Sequence, residues 1–281
     1  MQQLVLNGKE LSKKIEEELR RKVQMLKEKS GKEATLATII VGNNPASQMY
    51  VKMNANACER VGINSLKVEL KEDTTTEELL KVIENLNADE NVDGILLQHP
   101  VPRQIDERAC FNSISPKKDV DGVTSAGFGA MTMGEDAYVS ATPLGIIRIL
   151  EYYGVELEGK NAVVIGRSAI LGKPVAMMLL NKNATVTIAH SKTKKLEEIV
   201  KTADIVVACV GKPKFVKKDW LKPGAVVVDA GYNEGNVGDV DLENVIPIVS
   251  AYTPVPGGVG PMTIASLMEQ TVKAFEKRIN E

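Results

Sequence analysis

Apolar positions along this chain switch repeatedly between two periods. Leu11, Ile15, Leu19, Val23 and Leu26 recur at helical spacing, and Gly31 closes the charged stretch that follows them. Thr35 to Val41 is a run of β-branched and apolar residues, as expected of a strand buried on both faces. The pattern then predicts a helix over Ala46 to Val61, stopped at Gly62, and a short strand of alternating polarity over Leu66 to Leu70. Thr75 to Leu86 reads as a helix opened by threonines, with Glu77 and Glu78 in its first turn. Gly94 to Leu97 is another buried strand, running into Gln98-His99-Pro100-Val101-Pro102, where two prolines end regular structure.

Ser115 to Tyr138 has several glycines and no period, and is expected to hold a domain boundary. Beyond it the spacing predicts a helix over Thr142 to Tyr153 and strands at Ala162–Ile165, Thr185–Ala189, Ile205–Cys209 and Ala225–Asp229. A last amphipathic helix covers Met262 to Ile279. Strand–helix alternation of this kind predicts an α/β fold with parallel strands and crossover helices, whose ligands bind at the carboxyl ends of the strands. The expected division is one α/β domain over 1–140, with the helix at 262–281 packing back onto it. The second domain, 141–261, is a Rossmann-like, doubly wound parallel sheet.

Bulk properties narrow the function. The chain has 281 residues with 43% hydrophobic and 26% charged, ordinary for a soluble protein of this size. A formal net charge of -2 gives no field suited to nucleic acid or a membrane surface. Cys58, Cys110 and Cys209 stand singly, without zinc-ligand or redox spacing, so no metal is expected and a reducing cytoplasm fits. The start, Met1 to Gly8, is too short and polar for a signal peptide, and no apolar run is long enough to span a bilayer. With His99 and His190 the only histidines, a His-rich metal site or a Ser-His-Asp triad is not expected.

The chemistry-bearing pattern begins at the strand ending on Ile165. Gly166-Arg167-Ser168-Ala169-Ile170-Leu171-Gly172 follows it and opens a helix. Glycines there allow a sharp turn and close approach of backbone to phosphate, and the helix N-terminus presents N–H groups to a pyrophosphate. The spacing departs from G-x-G-x-x-G: Ser168 takes the second glycine's place and Gly172 comes one residue late. The next strand ends in His190-Ser191-Lys192, without the acid that would bind a ribose 2′-hydroxyl. Arg167 and Ser191 suit a 2′-phosphate instead, which points to NADP; the plain alternatives are a solvated loop arginine and a helix cap. Val210-Gly211-Lys212-Pro213 and Ala230-Gly231-Tyr232 end the two further strands and suit contacts along an extended cofactor, or are structural turns.

Several segments together resemble the methylenetetrahydrofolate dehydrogenase/cyclohydrolase family. They are Val41-Gly42-Asn43-Asn44-Pro45-Ala46-Ser47-Gln48-Met49-Tyr50-Val51, Lys118-Asp119-Val120-Asp121-Gly122, Gly166-Arg167-Ser168, and Thr253-Pro254-Val255-Pro256-Gly257-Gly258-Val259-Gly260-Pro261-Met262-Thr263. The resemblance implies two domains around a cleft, folate on the first and NADP on the second, and a homodimer. It implies hydride transfer from 5,10-methylenetetrahydrofolate, with positioning supplying much of the catalysis. By the same resemblance Asp121 hydrogen-bonds the pterin, Tyr50 stacks near it, and Gln98 sits beside the reacting centre. Pro256, Gly257 and Gly258 wall the folate and nicotinamide.

One departure bears on the second activity. The family has a lysine four residues after the tyrosine, and this chain has Asn54. Positions i and i+4 share a helix face, so Lys52 is no substitute. An asparagine cannot titrate, and the expectation is a dehydrogenase with weak or absent cyclohydrolase activity; the alternative is a bifunctional enzyme also producing 10-formyltetrahydrofolate. His99 stands where the family has leucine, as a tolerated loop residue or a substitute base. Val123-Thr124-Ser125, Tyr232 and Ala141 also depart from the family pattern. A non-catalytic binding protein, or a dehydrogenase of another substrate class, is the competing reading; the latter needs a histidine–carboxylate pair that the sequence does not display.

Overall fold

The computed structural model describes residues 3–280. In chain order the elements are β1 (Leu4–Val5), α1 (Gly8–Ser30), β2 (Thr35–Val41), α2 (Pro45–Val61), β3 (Asn64–Leu70), α3 (Thr76–Ala88), β4 (Gly94–Leu97), α4 (Glu107–Ser113), α5 (Ser125–Thr132) and α6 (Ala141–Tyr152). Then come β5 (Asn161–Ile165), α7 (Gly172–Leu180), β6 (Thr185–Ala189), α8 (Leu196–Val200), β7 (Ile205–Ala208), β8 (Val226–Asp229), α9 (Leu242–Val245), β9 (Ala251–Tyr252) and α10 (Val259–Asn280).

The chain divides into two compact units. One holds Thr142–Thr263 together with the amino-terminal residues through Ser12; the other holds Lys13–Ala141 together with the residues from Ile264 onward. The amino end therefore differs from the division expected at 140. Strand β1 pairs in parallel with β9, and Leu4 N–H and Leu6 N–H donate to the carbonyls of Ser250 and Tyr252. A two-residue strand carries no periodicity, so its partner is invisible in the sequence. Met1, Gln2 and Glu281, which that division also covered, lie outside the described residues.

The Lys13–Ala141 unit is built on a three-stranded parallel sheet, ordered β3-β2-β4. Central β2 is buried at all seven positions, which explains its unbroken β-branched run. Strand β3 is an edge and largely exposed. Leu19, Val23 and Leu26 of α1 pack with Leu36, Ala57, Val61 and with Leu267, Met268, Val272 and Phe275 of α10, a single apolar cluster. Capping follows simple rules: Asn44 accepts from the N–H groups of Ala46 and Ser47 to start α2, and a capping box of Thr75 and Glu78 starts α3. Ser125–Thr132 is a helix where no element was expected, because Gly127 and Gly129 dilute its apolar pattern; Thr124 caps it by accepting from Gly127 N–H.

The Thr142–Thr263 unit has a six-stranded sheet, ordered β1-β9-β8-β7-β5-β6, parallel throughout. Its β5, β7 and β8 are valine-rich and almost wholly buried, and the aliphatic side chains of these strands form the unit's core with Val216, Leu221, Val240 and Val245. Among the described residues no helix is long and apolar enough to cross a membrane.

Candidate active site

In the Lys13–Ala141 unit, β2 and β4 are parallel neighbours, so their carboxyl ends open on one edge of the sheet. After β2 the chain turns at Gly42, with φ of +77°, and enters α2, which carries Tyr50 half-buried and Asn54 at 6% exposure one turn later. Lys52 points outward and is exposed, so the shared face belongs to Tyr50 and Asn54. After β4 comes Gln98, whose N–H donates to Ile39 of β2 and whose side-chain amide donates to the His99 carbonyl at 2.7 Å.

Asp121 lies in a turn that runs beside β4, where Ile95 N–H donates to the Lys118 carbonyl. The turn is drawn together by Asp119. Its buried carboxylate accepts from Val123 N–H and Thr124 N–H, each at 3.0 Å. Gly122 is required there, with φ of +63° and no room for a Cβ, which would lie 2.1 Å from the Val139 carbonyl carbon. The Asp121 carboxylate accepts no hydrogen bond from the described residues, although its carbonyl accepts from Ala141 N–H at 3.3 Å. Burial, then the neighbouring Asp119 charge, pushes its carboxyl up to about 7.

One pair was not visible in the sequence. His99 Nδ1 lies 2.5 Å from Glu107 Oε1, both partly exposed, so a histidine–carboxylate pair does exist beside Gln98. Eight residues and a break in regular structure separate the two, and no short motif marks them. A cavity of about 780 Å³ in the same unit is a different feature. Val92 and Asp93 line it, at the amino end of β4 and so opposite Gln98, and its Arg278 and Lys277 are paired with Asp93 and Asp136.

In the Thr142–Thr263 unit the turn after β5 closes on itself. A Cβ on Gly166 would lie 2.4 Å from the Cys209 carbonyl oxygen, and one on Gly172 would lie 2.4 Å from the Gly166 carbonyl oxygen. Glycine is needed at both for contact of backbone with backbone. Ser168, in place of the second glycine, fastens the turn instead, because its hydroxyl accepts from Leu171 N–H and Gly172 N–H, each at 3.2 Å, at the start of α7. The N–H groups of Arg167, Ser168, Ala169 and Ile170 have no hydrogen-bond partner among the described residues, at a turn leading into a helix N-terminus. That arrangement fits a dinucleotide pyrophosphate.

Arg167 and Ser191 stand two residues past the same rung of the sheet, since Ile165 pairs with Ala189. Both are exposed. After β7, Gly211 has φ of +63° with open space around it, but its N–H is already held by Asp239, so only its outer face and carbonyl are available to a ligand. Tyr232, after β8, is 53% exposed with its hydroxyl donating to Asn236. Pro256, Gly257 and Gly258 form a loop packed on the start of α1: Lys9 N–H donates to the Gly257 carbonyl at 2.8 Å. A Cβ on Gly8 would lie 1.9 Å from the Gly258 carbonyl oxygen. Gly8 and Asp239 belong to this architecture, and neither stood out in the sequence.

Two family models match the chain. The tetrahydrofolate dehydrogenase/cyclohydrolase catalytic domain matches residues 6–121, and the NAD(P)-binding domain of that same family matches residues 140–279. The chain belongs to the tetrahydrofolate dehydrogenase/cyclohydrolase family. It is 64% identical to Bifunctional protein FolD 1 of Colwellia psychrerythraea, with 99% of each chain covered. Among solved structures it is similar to the bifunctional FolD methylenetetrahydrofolate dehydrogenase/cyclohydrolase of Campylobacter jejuni, with 48% identity, a TM-score of 0.96, and 98% and 99% of the two chains covered. It is also similar to the Trypanosoma brucei enzyme solved with NADP cofactor and inhibitor, with 34% identity, a TM-score of 0.96 and full coverage of both chains. The family resemblance carried by the Pro-Gly motif and the α/β class therefore hold.

Proposed function

We propose that this chain oxidises 5,10-methylenetetrahydrofolate with NADP and also hydrolyses the methenyl product to 10-formyltetrahydrofolate. The relatives named as bifunctional support both steps on one chain. The expectation of weak hydrolysis rested on Asn54 alone, and the comparisons favour the bifunctional alternative over it. One observation supports the reading: a titratable side chain other than a lysine, His99 held by Glu107, stands beside Gln98 just past the carboxyl end of β4.

The roles are those that the family resemblance and the strand-end positions suggest. Asp121, with its hydrogen-bonding capacity unspent, binds the pterin ring. Tyr50 stacks beside it and Gln98 lies next to the reacting carbon; in the other unit Pro256, Gly257 and Gly258 wall the nicotinamide. Gly166, Ser168 and Gly172 shape the pyrophosphate turn. Arg167 and Ser191 take the 2′-phosphate, and Gly211 and Tyr232 line the extended cofactor. When bound, NADP supplies the hydride acceptor. The Lys13–Ala141 unit takes the folate and the Thr142–Thr263 unit the dinucleotide. We further read the chain as a homodimer, supported by the exposed edge strand β3 with Leu66 and by exposed Met49 and Met53 on α2.

A second reading keeps the dehydrogenase and loses the hydrolase. It is favoured by Asn54, which occupies the buried face next to Tyr50 and can move no proton. An assay separating reduced cofactor from methenyl absorbance decides between them. The bifunctional reading expects little methenyl product to accumulate. Accumulation matching NADPH formation, relieved in Asn54→Lys, supports the second reading instead.

A further inference from the structure

The most heavily hydrogen-bonded side chain in the Thr142–Thr263 unit is Asp239, which is fully buried. Its Oδ2 accepts from Val210 N–H at 2.6 Å and Gly211 N–H at 2.9 Å. Its Oδ1 accepts from Lys212 N–H at 2.9 Å and from the Asn233 side-chain amide at 3.0 Å. Three successive backbone donors after β7 and one donor after β8 thus converge on one carboxylate. Asp229, at the end of β8, holds Asp239 in turn: it accepts from the N–H groups of Gly231, Asp239 and Val240, each at 2.9 Å. Two glycines make room for these carboxylates. A Cβ on Gly231 would lie 2.2 Å from Asp239 Cγ, and one on Gly238 would lie 1.9 Å from Asp229 Oδ2.

The loops so gathered follow β7 and β8, which continue the sheet beside β5 and end on the same edge as the Gly166 turn. We propose that Asp239 is the positioning residue of the dinucleotide site, holding the Val210–Lys212 and Gly231–Asn233 loops in the shape that receives the cofactor. This deepens the NADP reading and rests on it. All four partners of Asp239 are donors. An asparagine of the same shape must turn its NH₂ toward one pair of them, setting donor against donor and releasing that part of the loop.

The test compares NADPH binding by calorimetry in wild type, Asp239→Asn and Asn233→Ala, with KM values for NADP and for methylenetetrahydrofolate and amide hydrogen exchange at Val210–Lys212. We expect Asp239→Asn to weaken NADPH at least tenfold, to leave the folate KM within about twofold, and to speed exchange at those three amides. If Asp239→Asn does not fold, Asn233→Ala, which removes one donor of four, is expected to weaken NADPH two- to fivefold. Folded Asp239→Asn with wild-type NADPH affinity overturns the inference, as does an equal rise in both KM values. So does wild-type affinity in Asn233→Ala where Asp239→Asn is unfolded. A wild-type protein that binds no NADPH defeats the functional reading itself and is distinguishable from each of these.

Discussion

Each unit places two aspartates at a strand end or in a turn, yet the pairs are used differently. Asp229 and Asp239 together accept from six backbone N–H groups and one side-chain amide. Both are spent on shaping loops. Asp119 and Asp121 divide the work: the Asp119 carboxylate accepts from Val123 and Thr124, while the Asp121 carboxylate receives nothing from the described residues. Burial acts on the proton affinity of both pairs. Burial pushes Asp229 up against the opposing pull of its three N–H partners, and it pushes Asp121 up to about 7 with no such partners opposing it. A buried acid with its acceptor capacity consumed is architecture; one left open is available to a ligand.

Asp121→Ala is the severest test of that contrast. It is expected to lower kcat/KM for methylenetetrahydrofolate by about a hundredfold, from the loss of a charge-assisted hydrogen bond, while the melting temperature at neutral pH does not fall. A steady-state assay and a thermal melt on the same preparation check both halves. Asp119→Ala should do the reverse in kind: two buried N–H groups lose their acceptor, costing about 3 kcal/mol, seen as a lower urea midpoint.

A further effect is in pH. Asp121 holds its proton to about 7 when folded, against 3.8 for an ordinary aspartate. Between those values the native state binds more protons than the unfolded chain, so this group makes stability fall as pH rises through the window. Asp121→Asn is expected to flatten that decline in urea unfolding measured across the window. An unchanged slope means Asp121 is not the open acid of the pair.

Much of this was legible in advance. Val163 to Ile165, Val206 to Ala208 and Thr35 to Val41 are buried on both sheet faces, and continuous apolar runs report that directly. Gly166 and Gly172 announced themselves because strand, turn and helix are adjacent in sequence. The acids did not. Asp239 lies 27 to 29 residues from the three backbone donors after β7 that it holds, and Asp119 read only as a neighbour of Asp121. The His99–Glu107 pair was missed for a related reason: the two meet across a loop and a helix start, where no period applies. Position in a fold is shared between distant residues, and a linear motif records only local partners.

Gly8 carries a consequence for reading natural variation. It opens α1, far in the chain from the Pro254–Gly258 loop that its missing side chain accommodates. A mutant allele changing Gly8 to alanine would pass for a harmless, even helix-favouring, substitution. In a genetic screen it should instead fall in the same phenotypic class as lesions at Gly258, and second-site suppressors should arise in that loop.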